Sequence, residues 1–272
     1  MTPDTPSLTG RWALILGASS GFGAATARAL AHAGMNIFGV HLDPRRTIER
    51  AEAVIADIEA AGSRAVFFNT NAADTRRRAR VIAQIKTTLA EAPFTTIHLM
   101  VHTLAFGSLR PLIADDPTQA TQEDQMDMTL KVMAHSLVYW TQELVRAALL
   151  ESGSRIYAMS SLGAQRAAAN YGAVSAAKAA LEAHTRQLAL ELAPRGIAVN
   201  CLCPGVADTP ALRAIPGHEA LIAQVLAHHP ARRLTTPEDV AQTLVALADP
   251  RVTWISGVVL PVDGGEAIVG VS

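Results

Sequence analysis

The chain has 272 residues, half of them apolar, with 18 glycines, a net charge of −1 and a pI near 6.8. That length suits one α/β domain with a sizeable core. The near-neutral balance gives no electrostatic footprint for nucleic acid or an anionic membrane, and no stretch is apolar for long enough to mark a membrane span.

The opening MTPDTPSLTGRW has neither a basic start nor an apolar run, so no secretory leader is expected and a cytoplasmic location is. The first strand is WALILGA, followed by Gly17, Gly21 and Gly23 and a helix beginning near Gly21. Missing side chains there allow a tight turn and let a pyrophosphate approach backbone amides at the positive end of a helix. NIFGVHL is the second strand, with Asp43 about 20 residues beyond the glycines, where an acid binds the 2′-hydroxyl of NAD. Arg45 and Arg46 follow at once and suit the 2′-phosphate of NADP, so NADH and NADPH both stay open.

A helix begins near Thr47, RAVFFNT is the third strand, and a further helix begins near Thr75. Its Arg76, Arg77, Arg78 and Arg80 alternate with Ala79 and Val81 in the manner of a solvated face. IHLMVHT is the fourth strand, a helix begins near Gln122, and SRIYAMS is the fifth strand. The segment YGAVSAAK then opens a helix near Tyr171, with six residues between Tyr171 and Lys178. IAVNCLC is the sixth strand; Cys201 and Cys203 alternate along it as packing residues, and no Cys/His set has the spacing of a metal site. The segment from Asp208 to Val240 is broken by four prolines and reads as a substrate lid over 209–230. A last helix begins near Pro237, and GVVLPV is the seventh strand.

Strands alternating with helices in this order predict a Rossmann-like α/β fold, a doubly wound parallel sheet of about seven strands in a single domain over 1–272. Such sheets bind ligands beyond the carboxyl ends of their strands.

The spacing Gly-x3-Gly-x-Gly, the PGVADT segment and VDGG near the end resemble the short-chain dehydrogenase/reductase family over essentially the whole chain. The common members of that family carry a proton-donating tyrosine four residues before the lysine, where this chain has Val174. The Tyr171-x6-Lys178 spacing and VHTLAFG (residues 101–107) instead resemble its enoyl-acyl carrier protein reductase branch. Were the segment helical throughout, seven residues would return to within about 20° of one face while separating the Cα atoms by roughly 10 Å, against roughly 6 Å for four. The longer reach suits conjugate reduction, in which hydride goes to C3 of an enoyl thioester and charge develops on the carbonyl oxygen.

The resemblance implies Tyr171, Lys178 and Ser161 as catalytic residues, with Lys178 also on the nicotinamide ribose. It implies a cofactor site of Gly17, Ser19, Ser20, Gly21, Phe22, Gly23, His41, Asp43, Arg45, Asn71, Ala72, His102, Leu104, Ala105, Pro204, Gly205, Val206 and Thr209. His102 is expected to be structural or cofactor-contacting rather than a general base. Met133 occupies the place of the family's active-site asparagine. The implied activity is NAD(P)H-dependent reduction of a 2-enoyl thioester carried on acyl carrier protein or coenzyme A, in fatty acid synthesis. A short-chain carbonyl reductase or alcohol dehydrogenase, and a non-catalytic NAD(P)-binding protein, are the alternatives. The resemblance also implies a homotetramer, packed through the outer faces of the helices that contain Met133 and Lys178.

Overall fold

In the computed structural model, which describes residues 7–269, seven strands form one parallel sheet in the order β3-β2-β1-β4-β5-β6-β7. The first six residues of the opening segment read above lie outside the described residues. The strands are β1 (Trp12–Leu16), β2 (Asn36–His41), β3 (Ala65–Asn69), β4 (Ile97–His102), β5 (Arg155–Met159), β6 (Ala198–Pro204) and β7 (Val259–Val262). Each falls within a residue or two of its predicted apolar run.

Period-two alternation explains how one strand feeds two cores. Trp12, Leu14 and Leu16 of β1 face one layer, while Ala13 and Ile15 face the other. The first layer holds α3 (Thr75–Ala90), α5 (Ser136–Arg146) and α6 (Gly172–Leu192), through Val81, Ile85, Leu137, Trp140 and Leu181. The second holds α1 (Gly21–His32), α2 (Ile48–Ala60) and α9 (Pro237–Ala248), through Leu30, Val54, Ile58, Val240 and Leu244. Every residue of β1, β4 and β5 is buried, as a sheet covered on both faces requires. The chain leaves β1 toward β2 on one side and returns to β4 on the other, so the sheet's switch point lies between β1 and β4. At their carboxyl ends it opens the crevice where such sheets hold ligands.

Two expectations need correction, and one helix that starts where expected holds a feature of its own. Arg78 does not belong to a solvated face, although Arg76, Arg77 and Arg80 are exposed. It is 4% exposed, donates from Nε to Glu143 Oε1 at 2.6 Å, and lies over the Tyr139 ring. A buried guanidinium is tolerable only with such a partner, so this arginine ties α3 to α5. The helix beginning near Gln122 is not uniform either: α4 (Glu123–Leu130) passes through a π-helical turn at Lys131–His135 before α5, with Met133 buried in the turn. Finally, Tyr171 precedes α6 as its N-cap, at φ −106° and ψ 2°, so the interval from Tyr171 to Lys178 is not helical throughout.

The proline-broken stretch folds into α7 (Pro210–Arg213) and α8 (His218–His228). Pro210 sits in the first turn of α7, where its missing N–H costs nothing. Among the described residues no helix is long and apolar enough to cross a membrane.

Candidate active site

The glycine loop after β1 is a cradle whose shape depends on absent side chains. A Cβ on Gly23 would lie 2.0 Å from the Gly17 carbonyl oxygen, and one on Gly17 would lie 2.6 Å from Thr103 Oγ1. Gly17 has φ +97° and donates its N–H to Val40 at 2.8 Å. Thr103, just past β4, braces the turn by donating to the carbonyl of Leu16 at 2.8 Å. Ser20 caps α1 through its extended backbone, without a side-chain cap bond, so the helix start turns free amides toward the crevice. Thr209 approaches from the far side, its Cγ2 3.5 Å from where a Gly21 Cβ would be. The chain thus brings the ends of β1, β4 and β6 together around the glycine loop. These residues fit a dinucleotide.

At the end of β2, Asp43 is engaged by its own neighbours. His41 Nδ1 lies 2.9 Å from its Oδ2, and Thr47 donates to Oδ1 at 2.8 Å. Burial, the largest influence, raises the Asp43 pKa, but hydrogen-bonding interactions with Ser19, Thr47 and His41 outweigh it and hold the carboxyl below its ordinary value. Arg45 and Arg46 are exposed beside it. Asn71 accepts from Ala73 N at 2.9 Å, while Ala72 is buried and its carbonyl receives Trp140 Nε1 at 2.9 Å.

His102 lies beneath the cofactor surface rather than on it, since it has no exposed area. Ser136 donates its hydroxyl proton to Val132, so His102 Nε2–H is the donor in the 2.7 Å contact with Ser136. Its Nδ1 is then a buried lone pair without a protein partner. Burial first, and the Lys178 cation second, push His102 down to about 3; it is a neutral tie between β4 and the central helix, not a proton carrier. Leu104 is half-buried against the core and Ala105 is exposed. Pro204 and Gly205 are buried, with Val206 half-exposed and its N–H given to Glu266 Oε2 at 2.8 Å.

The Tyr171 ring lies against Gly163, where a Cβ would meet it at 2.4 Å. Burial raises the phenol's pKa, and a hydrogen-bonding interaction with the Ser161 side chain acts the other way, so Tyr171 remains a protonated donor at neutral pH. Ser161 Oγ also accepts from Gly163 N at 3.1 Å, which fixes the turn after β5. Asn170, at φ +61°, supplies the left-handed residue that delivers Tyr171 to the helix start. Lys178 is buried, with Nζ donating to the carbonyl of Met159 at 2.6 Å. Burial lowers it to about 8, partly offset by nearby acidic groups. Val174, at the position of the common family tyrosine, packs with Met133 and Ala177 in a closed apolar cluster that Tyr171 borders.

An opening of about 310 Å³ adjoins Tyr171, lined by Pro111, Leu112, Ala167, Ala168, Asn170, Gly172 and Ser175. Phe106, Leu112 and Ile113 are exposed on the neighbouring loop. Sequence reasoning did not find Thr103, Ser160, Ser175 or Glu182, although Ser175 and Glu182 fall on the helix face that carries Lys178. Ser175 donates to the carbonyl of Gly163 at 2.5 Å, and Ser160 to Glu182 at 2.5 Å.

Comparison with known proteins agrees with this arrangement. A family model described as Enoyl-(Acyl carrier protein) reductase matches residues 17–266. A 3-oxoacyl-[acyl-carrier-protein] reductase of Synechocystis is 31% identical, over 95% of this chain and 98% of its own. A 1-cyclohexenylcarbonyl-CoA reductase of Streptomyces collinus is 28% identical, over 94% and 86%. A short chain dehydrogenase of Burkholderia cenocepacia, solved in complex with NADP, superposes with a TM-score of 0.81 at 31% identity, over 96% and 99%. The glycine cradle at the switch point and a match that spans nearly the whole chain place it in the short-chain dehydrogenase/reductase family, oxidoreductases that work with NAD or NADP.

Proposed function

We propose that this protein reduces the C2–C3 double bond of a 2-enoyl thioester, with NADPH or NADH as the hydride source. The observation that carries the reading is the replacement of the usual tyrosine position by Val174, closed in an apolar cluster, while a phenol, Tyr171, stands at the helix start beside it. When bound, the nicotinamide supplies a hydride. The cradle of Gly17, Gly21 and Gly23 holds the pyrophosphate, with Thr209 across it, and Lys178 orients the ribose. Tyr171 donates a hydrogen bond to the thioester oxygen as negative charge develops there, Ser161 steadies the phenol, and the enolate takes a proton from water at C2 as the carbonyl re-forms. The kinship with the Streptomyces collinus cyclohexenylcarbonyl-CoA reductase supports a thioester on either carrier protein or coenzyme A.

The second reading is reduction of a 3-ketoacyl thioester or another ketone. It is favoured by the pairing of Tyr171 with Ser161, a serine and a tyrosine able to bind one carbonyl oxygen, and by the Synechocystis relative's activity. Rates of NAD(P)H oxidation separate the two. A 2-enoyl thioester is expected to react at least about tenfold faster than the matching 3-ketoacyl thioester, a difference of about 1.4 kcal/mol in barrier; the reverse order removes the enoyl reading.

Residues 209–230 form the lid in this proposal. The segment is pinned at both ends, by Thr209 capping α7 and by His229, whose Nε2 lies 2.9 Å from the Asp263 carbonyl. Between those anchors no residue of α8 is buried; Leu221, Ile222 and Val225 are half-buried on one side. Leu212 is in the core, Ile215 is half-buried, and Ala211 and Leu226 point outward, so only part of the segment's apolar side chains turns inward. Such light packing suits a segment that closes over an alkyl chain. Hydrogen exchange across 214–228 should slow when cofactor and enoyl thioester are both bound; protection already high in the free protein rules the lid out.

Assembly as a homotetramer completes the proposal. Tyr139 on α5 and Leu190 on α6 are exposed apolar side chains on the helices that would pack against a copy. Light scattering is expected to give four copies at micromolar concentration, and a stable monomer contradicts it.

A further inference from the structure

One face of α6 is fastened along its length to the segment that follows β5. Residues 175, 178 and 182 recur at steps of three and four, which keeps them on a single side of the helix. Ser175 holds the Gly163 carbonyl, Lys178 holds the Met159 carbonyl at 2.6 Å, and Glu182 Oε1 accepts from Ser160 Oγ at 2.5 Å. Tyr171, the N-cap of α6, stands just ahead of this row with its ring against Gly163. The ties from Lys178 and Glu182 grip consecutive residues, Met159 and Ser160, immediately before Ser161. Both Lys178 and Glu182 are buried, at 6% and 7% exposure.

A buried carboxylate bonded only to a serine is costly unless a charge compensates it. The titratable groups that act on Lys178 are Glu182 on its own helix, Cys201 and Cys203 on β6, and His102 on β4. His102 is neutral, and burial pushes the thiols up to about 11 and about 12, so neither cysteine is charged where Lys178 titrates. Glu182, four residues further along the same helix face, is therefore the one carboxyl among these neighbours.

Taking Lys178, Tyr171 and Ser161 as the reacting site, as proposed above, we infer that Glu182 is a positioning residue for it. The Glu182 carboxylate, steered by Ser160, keeps Lys178 cationic and fixes the run from Met159 to Ser161 that presents the Ser161 hydroxyl. Burial alone drives Lys178 toward the neutral form, and Glu182 opposes that drive.

The chain has three lysines, Lys86, Lys131 and Lys178, so protein labelled with ¹³Cε-lysine gives a spectrum in which Lys178 is followed directly. In Glu182→Gln the Lys178 titration midpoint should fall by at least about half a unit, with Lys86 and Lys131 unmoved as internal references. Glu182→Asp, which keeps the charge, should restore most of the shift. The alkaline decline of turnover on the thioester should move with the midpoint, because the cation is present below the Lys178 pKa and lost above it.

An unmoved midpoint in Glu182→Gln overturns the role of Glu182 and leaves the proposed reaction standing. A midpoint that falls while turnover on every thioester keeps its pH profile overturns the place of Lys178 in the reaction, and Glu182's with it. Should Glu182→Gln fail to fold, Ser160→Ala carries the test with the opposite sign: a carboxylate deprived of its donor raises the Lys178 midpoint, and no movement overturns the inference.

Discussion

Replacing Tyr171 by phenylalanine is expected to lower turnover on the enoyl thioester by about 100- to 1000-fold, the usual effect of removing one donor from a developing oxyanion. The ring stays, so its packing against Gly163 and beside the Met133–Val174–Ala177 cluster is kept. Cofactor affinity, read by quenching of intrinsic fluorescence or by NAD(P)H emission, should change by less than about twofold. The hydroxyl matters chiefly once charge appears on the substrate oxygen, which places the loss in turnover rather than in binding. If cofactor binding collapsed while turnover per bound complex held, Tyr171 would be a structural residue. Burial keeps the phenol protonated well past neutrality, so the loss should be the same at pH 6.5 and pH 7.5.

The contrast with Val174 gives this substitution its force. A tyrosine placed four residues before Lys178 would lie inside the first turn of α6, on the face now closed by Met133. Moving the phenol to the N-cap takes it off the helix, and the left-handed Asn170 sets the direction in which it leaves. The proposed donor is thus held by a turn and a glycine contact rather than by helical geometry. The spacing of Tyr171 and Lys178 was legible in the sequence, but the reason for it was not. A calculation of helix periodicity has no access to the dihedral angles of Tyr171.

The same division runs through the rest of the molecule. Apolar runs located all seven strands: in the central ones the burial is written in consecutive residues such as Leu14, Ile15 and Leu16, and even the half-buried edge strands β3 and β7 keep apolar side chains against the core. Arg78 was misread because charge and helical spacing describe a face, whereas the partner that allows a guanidinium to be buried, Glu143, lies 65 residues away. Glu182 escaped notice for a related cause. A glutamate within an Ala-rich helix reads as solvated, and only the approach of β5 to α6 converts it into a buried acceptor for Ser160. The π-helical turn at Met133 left no mark in the composition at all. Side chains that act through a distant element are invisible to local pattern, while those that act through backbone shape, such as the glycines, are conspicuous.

Gly23 makes that last point testable. Its Cβ would lie 2.0 Å from the Gly17 carbonyl oxygen and 2.8 Å from both the Gly17 carbonyl carbon and Thr103 Oγ1. The nearest obstacle is backbone, and Gly17 is fixed by its bond to Val40, so alanine at 23 can be accommodated only by opening the loop. Opening it moves the carbonyl wall away from the start of α1 and spoils the alignment of the amides that would meet the pyrophosphate. Gly23→Ala is therefore expected to weaken NAD(P)H binding by at least about 100-fold, or about 2.8 kcal/mol. Gly21→Ala provides the comparison. There the nearest atom, Thr209 Cγ2, is at an ordinary 3.5 Å, and the penalty comes instead from a backbone held at φ +51°. That costs about 1–2 kcal/mol, which is shared between stability and binding. Titration of each variant with NAD(P)H, alongside thermal melting without cofactor, separates the two effects. Gly23→Ala should lose affinity out of proportion to any loss of melting temperature, because the carbonyl and amides that the added methyl displaces are those that would meet the pyrophosphate. Binding by Gly23→Ala within about tenfold of the unsubstituted protein, in a folded chain, would mean that the pyrophosphate is held somewhere other than this loop.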